Sequence, residues 1–121
     1  MVELSGRRRE VPRTRRTALV AGTAKASATI LETIHASTKR EKLVGLTIAN
    51  VSTGTSTQVF VGVQLAVNSG STWDVMLAPV LDAGEFVTWE GVVYMAAGDK
   101  LVSYAGSTNV VAVTPAIEPE D

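Results

Sequence analysis

A short phrase that occurs twice constrains this chain more than any other feature. Ala83-Gly84-Glu85-Phe86-Val87 is followed, fourteen residues later, by Ala97-Gly98-Asp99-Lys100-Leu101. In each copy a small residue and a glycine favour a bend, because glycine adopts positive φ without a Cβ clash. An acid follows, and then apolar residues that suit a half-buried strand. The phrase therefore predicts two glycine turns, each of which opens a strand of a compact antiparallel unit.

Short apolar segments separated by turn residues continue along most of the chain. The clearest is residues 58–67, where valine or leucine occupies every second position from Val59 to Val67. Residues 43–51 repeat the pattern after a charged turn at 39–42, with one face formed by Val44, Leu46 and Ile48. The predicted strands are 18–21, 27–37, 43–51, 58–67, 73–81, 85–89, 92–96, 100–104 and 110–114, with a turn at Glu90-Gly91.

Residues 27–37 and the prolines of the chain lead to further predictions. In residues 27–37 one face of the strand holds Ala28, Ile30, Ile34 and Ala36, although Ile30, Leu31 and Ile34 also fit a helix. The β-branched residues of this segment favour the strand. The prolines predict where other strands bend or end. Pro79 predicts an edge strand or a bend, and Pro115 and Pro119 predict the end of the sheet.

About eight short strands at this spacing are typical of a sandwich or a barrel. We therefore predict an all-β fold, a single antiparallel β-sandwich that is jelly-roll-like, with an extended basic N-terminal arm. The arm covers residues 1–17, the sandwich 18–115 and an acidic tail 116–121. A length of 121 residues suits one core, and because aromatic residues make up only 5%, that core must be mainly aliphatic.

Charge is distributed unevenly between the arm and the rest of the chain. The arm contains Arg7, Arg8, Arg9, Arg13, Arg15 and Arg16 against Glu3 and Glu10, so its net charge is 6 − 2 = +4. The remaining residues have five basic side chains against ten acids, which gives −5. Guanidinium groups bind carboxylates and phosphates bidentately. We favour an acidic protein surface as the arm's partner and leave nucleic acid open for the arm only.

The residues that catalysis or cofactor binding would require are sparse. The chain has no cysteine and a single histidine, His35, and it lacks a phosphate-binding loop. The sequence thus predicts no enzyme, no metal site and no cofactor, and its apolar runs are too short to cross a membrane. Trp73 and Trp89 could stack on a sugar or a base, but such residues more often anchor a core or an interface.

Three segments of the body resemble small structural proteins of tailed bacteriophages. They are K-L-V-G-L-T-I-A-N-V-S-T-G-T-S (residues 42–56), V-F-V-G-V (59–63) and L-D-A-G-E-F-V-T-W-E-G-V-V-Y-M-A-A-G-D-K-L-V-S-Y-A (81–105). Such proteins are compact β-sandwiches of about this length that act as head decoration (cement) proteins or as neck and tail components. The resemblance covers residues 42–114, and the arginine arm is not part of it.

The resemblance implies a mechanical function. Copies would bind the outside of a capsid lattice, in a homo-oligomer that is expected to be a trimer, and would stabilise contacts between shell subunits. The partners would be the major capsid protein or other virion proteins, and the chain would be found in the virion and, during assembly, in the host cytoplasm. The expected oligomer interface comprises Val59, Phe60, Val61, Trp73 and Trp89. The alternatives are a neck or tail component of the virion and a carbohydrate-binding β-sandwich that uses Trp73 and Trp89.

Overall fold

The computed structural model describes residues 13–14, 16–34 and 40–119, and these form an all-β structure without an α-helix. A single 3-10 turn, Lys25–Ser27, precedes the third strand. The strands within the described residues are β1 (Arg13–Thr14), β2 (Ala18–Leu19), β3 (Thr29–Thr33), β4 (Arg40–Asn50), β5 (Thr57–Gln64), β6 (Asp74–Leu77), β7 (Val80–Leu81), β8 (Phe86–Ala96), β9 (Lys100–Ala105) and β10 (Val111–Pro119).

Two antiparallel sheets contain these strands. Sheet A has the order β1-β10-β4-β8, with β2 beside β1 on the same edge of β10. Sheet B has the order β3-β9-β5-β6, with β7 beside β6 on the edge of β5. When each broken edge counts as one strand, sheet A orders the eight strands 1-8-3-6 and sheet B orders them 2-7-4-5. This is the jelly-roll order, and it confirms the predicted class of fold.

The core lies between the two sheets and is mainly aliphatic, as the composition predicts. Residues alternate between core and solvent along the strands, so each sheet contributes one face. In β10, for example, Val111, Val113 and Ile117 are fully buried. The core residues are Val20, Leu31, Ile34, Leu43, Leu46, Ile48, Val59, Val61, Leu81, Met95, Leu101, Ala105, Val111, Val113 and Ile117.

The repeated phrase forms the same turn twice. Gly84 has φ +81° and Gly98 has φ +89°, and β8 and β9 begin directly after Glu85 and Asp99. In both turns the acid also donates its backbone N–H to the carbonyl three residues earlier, at 2.9 Å for Glu85 and 3.0 Å for Asp99. The two copies therefore open one strand in each sheet, β8 in sheet A and β9 in sheet B.

The predicted turn at Glu90-Gly91 is wrong, because β8 continues through it as one strand of 11 residues. Leu43 pairs with Val93 and Gly45 pairs with Glu90, so β8 has one extra residue in a bulge. Gly91 is required there for packing: a Cβ at this position would lie 2.6 Å from Cζ2 of Trp89. Gly91 therefore reflects close packing against Trp89 and does not indicate a turn.

Strand ends and faces also differ from prediction in three places. β5 ends at Gln64, which leaves Val67 almost fully exposed after the strand. In β3 a register shift between Ile30 and Glu32 turns Leu31 into the core and leaves Ile30 exposed, so the predicted face is wrong. The charged segment 40–42, predicted as part of a turn, is the first part of β4.

The sheet does not end at Pro115, and the predicted tail boundary at residue 116 is therefore wrong. β10 continues to Pro119, and Ile117 in this extension is fully buried. The carbonyl of Val111 accepts the N–H of Val20, so alternate residues of β10, including Pro115, face the β1/β2 edge. Pro115 lies opposite the interruption between β1 and β2, where a backbone N–H is not needed.

Candidate functional site

The arginine arm lies mostly outside the described residues, which is the case for Arg7, Arg8, Arg9 and Arg15. Arg13 is in β1 and pairs with Ile117 of β10, and Arg16 follows as an exposed residue. The last part of the predicted arm therefore joins the edge of sheet A. The sole histidine, His35, also lies outside the described residues.

The five residues of the predicted oligomer interface fall in three different places. Val59 and Val61 are fully buried in the core between the sheets, so their side chains are not at the surface of the chain. Phe60 and Trp73 come together on the outer face of sheet B. Trp89 belongs to β8 in sheet A, where it packs partly buried against the core.

On the outer face of sheet B three aromatic rings form one cluster. Phe60 and Tyr104 stack with 4.5 Å between ring centroids, and Trp73 meets Tyr104 edge-on at 6.0 Å. Trp73 lies over Gly62, and its Nε1 donates to the carbonyl of Lys25 at 3.1 Å. The ring of Trp73 is only 5% exposed. This cluster consequently covers much of the outer face of sheet B with the chain's own residues.

The Trp73 side chain also borders a cavity of about 250 Å³ on this face, together with Gln64, Asn68 and Lys100. Gln64 already donates its Nε2 to the carbonyl of Gly70 at 3.1 Å. Trp89 is not part of this cavity, because it lies in the other sheet. The two tryptophans therefore do not form the common stacking platform that a carbohydrate-binding module using both would need.

The outer face of sheet A is different, because an exposed apolar row crosses it from one edge to the other. Leu19 pairs with Ala112, Ala112 with Ala49, and Ala49 with Phe86. Directly opposite residues of paired strands lie on the same face of a sheet. Leu19 is 52% exposed and Phe86 is 68% exposed. We call these four residues, Leu19, Ala112, Ala49 and Phe86, the sheet A row.

The floor of this face consists of small side chains. A depression of about 270 Å³ lies over Gly45, with Thr47, Thr88 and Thr114 beside it. Thr114 shares a hydrogen bond of 2.6 Å with the hydroxyl of Thr17. Toward the far end, Lys42 and Glu118 form an ion pair at 3.0 Å. Val44, Glu90 and Pro115 also line the depression, so small side chains at its centre are bordered by larger ones.

Sequence analysis missed the sheet A row. Its signal was present in residues 85–89, because Phe86 alternates with Val87 and shares its face with Thr88. A large apolar residue on the polar face of a strand often marks an interaction surface. Leu19, next to the buried Val20, gives the same signal in β2.

A metal centre would need several ligating side chains close together in the described part of the chain. No group of three or more histidine, cysteine, aspartate or glutamate side chains lies close enough there to hold a metal ion. No helix in these residues has the length and apolar character to span a bilayer. No protein-family profile, curated protein or solved structure matches this chain.

Proposed function

We propose that this protein is a structural component of a tailed-bacteriophage virion, a decoration (cement) protein that binds the capsid shell and stabilises contacts between shell subunits. Its partners would be the major capsid protein or other virion proteins, together with further copies of itself. The chain would act by burying surface and would need no cofactor.

The observation that carries this proposal is the sheet A row. Phe86 and Leu19 expose large apolar side chains at the two ends of this row, and the residues between them are alanines. Contiguous exposed apolar surface on a soluble domain marks a site of protein contact. The basic arm joins the same sheet at Arg13 of β1, which pairs with the same edge of β10 as Leu19 of β2. This edge of sheet A thus carries Leu19 of the apolar row and Arg13, the residue at which the arm joins the sheet.

The arm has a defined task in this proposal. A net charge of +4 on residues 1–17 would pair with carboxylates of a neighbouring subunit, and bidentate arginine–carboxylate contacts are directional as well as strong. Such contacts weaken as ionic strength rises. The arm would therefore add a salt-sensitive contribution to the apolar contact made by sheet A.

The fold is compatible with this function but does not assign it. Jelly rolls occur in viral capsid proteins and also in lectins and other families. A shared fold does not imply a shared function. The resemblance of residues 42–56, 59–63 and 81–105 to phage structural proteins is what favours the virion among these classes.

Counting copies of the chain in purified virions by quantitative mass spectrometry tests the proposal. A ratio near parity with the major shell protein is expected for a lattice-wide decoration protein. A ratio far below parity would favour the alternative of a neck or tail component. Absence from the particles would overturn the virion proposal.

Occupancy of variant virions tests the docking face itself. Phe86→Ser removes the largest exposed ring of the sheet A row, whereas Ile30→Ser makes the matched change on the outer face of sheet B. We expect Phe86→Ser to lower the copy number on particles and Ile30→Ser to leave it unchanged. Equal occupancy of both variants would contradict the assignment of the docking face.

A further inference from the structure

One sheet edge differs from all the others in the described structure. The edge formed by β1 and β2 consists of two strands of two residues each. The β6/β7 edge is interrupted by Ala78 and Pro79, and β3 has five residues with a register shift. β8 is the exception in length, with 11 residues, although it too has a bulge, between Glu90 and Val93.

Short strands, prolines, bulges and lysines are the usual means of preventing a sheet edge from pairing with another chain. β8 contains a bulge but no proline, lysine or arginine, and Glu90 is its only charged residue. Its outward-facing side chains include three large apolar residues, Phe86, Val92 and Tyr94, all of them more than half exposed. Apart from its bulge and the Arg40 guanidinium, whose Cζ lies 5.0 Å from the centroid of the Tyr94 ring, β8 lacks the features that protect the other edges.

Backbone N–H and C=O groups of β8 also point toward the open edge, where another strand would bind. Asn50 donates its N–H to the carbonyl of Glu85 at 2.8 Å, which places a hydrogen-bonded pair at these two residues. Hydrogen-bonded and non-hydrogen-bonded pairs alternate along an antiparallel ladder. The N–H and C=O groups of Phe86 and Thr88 are consequently directed away from β4, toward the open edge.

We propose that β8 pairs antiparallel with β8 of a second copy of this chain about a twofold axis. A twofold contact uses the same surface on both copies, so a strand of low charge and matched length is its own natural partner. The N-terminal arm of a neighbouring copy is the weaker candidate for this edge. Residues 1–12 contain Gly6 and Pro12, two residue types that are depleted in strands.

The side chains select one register. With the axis at Trp89, Phe86 lies opposite the partner's Val92, and Thr88 lies opposite the partner's Glu90. Apolar residues then face apolar residues, and a hydroxyl faces each carboxylate. Moving the axis to Glu90 would place two like charges directly opposite each other, which destabilises a strand pair. The register with the axis at Trp89 is therefore the one that we propose.

This pairing joins the two A sheets into one sheet of eight strands, when each broken edge counts as one. The twofold axis is perpendicular to that sheet, so the two outer faces point in the same direction. Each sheet A row then continues across the contact, from Phe86 to the partner's Val92. The inference concerns the purified protein alone, and it proposes a twofold dimer instead of the trimer that the resemblance implies. It does not depend on the virion assignment.

Sedimentation of the purified chain tests the proposal first. The unmodified chain is expected to form dimers at micromolar concentration, and Val92→Lys is expected to weaken the association by roughly tenfold or more, because a lysine on an edge opposes pairing. Val80→Lys is the matched control: Val80 is 63% exposed against 57% for Val92, but it lies on the interrupted β7 edge. A monomer, a trimer, or equal effects of the two lysines would overturn the proposal.

Backbone pairing is tested by Thr88→Pro. Its N–H is directed to the open edge, so the substitution should leave the bonds to β4 intact while it blocks the second copy. The far-ultraviolet circular dichroism spectrum reports whether the fold is retained. A folded Thr88→Pro variant that dimerises as well as the unmodified chain would contradict pairing through β8.

Cross-linking tests the register, because the chain has no cysteine of its own. Thr88→Cys and Glu90→Cys, mixed under mild oxidation, are expected to form a disulfide-linked dimer, since opposite residues of paired strands lie within disulfide range. Each variant alone should cross-link far less. Efficient self-cross-linking of Glu90→Cys would place the axis at residue 90 and overturn the proposed register.

Discussion

The outer faces of the two sheets both carry large apolar side chains, but they differ in how far the chain itself covers them. On sheet B, Trp73 folds back over Gly62 and meets Tyr104, so that Val102 beneath it is only 2% exposed. On sheet A no comparable segment of the described chain covers the face, and Phe86 stands 68% exposed. The centre of sheet B is thus covered by the chain itself, with Ile30 of the edge strand β3 left 53% exposed, whereas the sheet A row has no such cover in the described chain.

This difference in coverage predicts different roles for the two faces, one in the stability of the fold and the other in association with partners. Side chains that cover sheet B contribute to the free energy of unfolding, because their apolar surface is already removed from water. The sheet A row contributes little until a partner covers it. Substitutions on sheet B should therefore change stability, and substitutions on sheet A should change association.

The largest effect is expected for Trp73→Ala. Removing a buried tryptophan typically costs about 3–5 kcal/mol of unfolding free energy, and the change would also expose Val102 and Tyr104. Trp73→Phe keeps most of the covering ring but loses the hydrogen bond to the carbonyl of Lys25, so it should cost less. Urea unfolding measures both values. A Trp73→Ala variant as stable as the unmodified chain would show that sheet B is not closed in this way.

Gly62→Ala should also destabilise sheet B, by about 1–3 kcal/mol or more, because the site has no room for a methyl group. A Cβ at position 62 would lie 2.6 Å from Cε3 of Trp73 and also against the carbonyl of Asp74. Gly54→Ala provides the control, since nothing lies within 4 Å of its Cβ position. Thermal unfolding of the two variants compares them directly, and equal melting temperatures would be inconsistent with close packing at Gly62.

The two repeated turns extend the comparison. Asp99, before β9 of sheet B, is 7% exposed and accepts hydrogen bonds from the N–H groups of Ala66 at 3.0 Å and Ala96 at 2.9 Å. Glu85, before β8 of sheet A, is exposed and accepts one from Asp82 at 2.7 Å. Asp99→Ala should cost about 1 kcal/mol or more, because it removes a buried acceptor and leaves two partly buried N–H groups unpaired.

Glu85→Ala should cost about 0.5 kcal/mol or less, since water can replace the lost acceptor at an exposed turn. Chemical denaturation of the two alanine variants under the same conditions gives the difference. Equal losses of unfolding free energy would mean that the two acids stabilise their turns equally, which would contradict the difference in their burial.

The smallest effect on stability is expected for Phe86→Ser, within about 0.5 kcal/mol, because the ring is mostly exposed in the single chain. Its effect on association should be larger, since Phe86 belongs both to the sheet A row and to the open edge of β8. Unfolding and sedimentation of the same sample separate the two quantities. A variant that unfolds more easily but associates normally would reverse the roles of the two faces.

Much of the fold could be predicted from local sequence. The glycine turns at Gly84 and Gly98 follow from a conformation that few other residues adopt, and alternation identified the buried valines of β5. The errors arose where tertiary packing decides. Gly91 resembles a turn residue but accommodates the Trp89 ring, and Pro115 is tolerated within β10 because the edge beside it is interrupted.

The candidate site was harder to predict because an interface depends on which face of a strand is covered. Val59 and Val61 are apolar and alternate correctly, but this pattern describes a core strand as well as an interface strand. Trp73 was expected at a contact between copies and instead covers its own sheet. Leu19 and Phe86 belong to one row only because their strands pair through β10 and β4, and a single sequence does not reveal that pairing.

Hydrogen–deuterium exchange on the purified chain, at concentrations below and above the onset of self-association, tests most directly whether sheet A is the interacting side. The account predicts that protection rises with concentration in peptides that cover β8, residues 86–96, because their open N–H groups acquire partners. Peptides that cover β6 and β7, residues 74–81, should exchange at the same rate at both concentrations. Protection that rises in β6 and β7 while β8 stays unchanged would contradict the account.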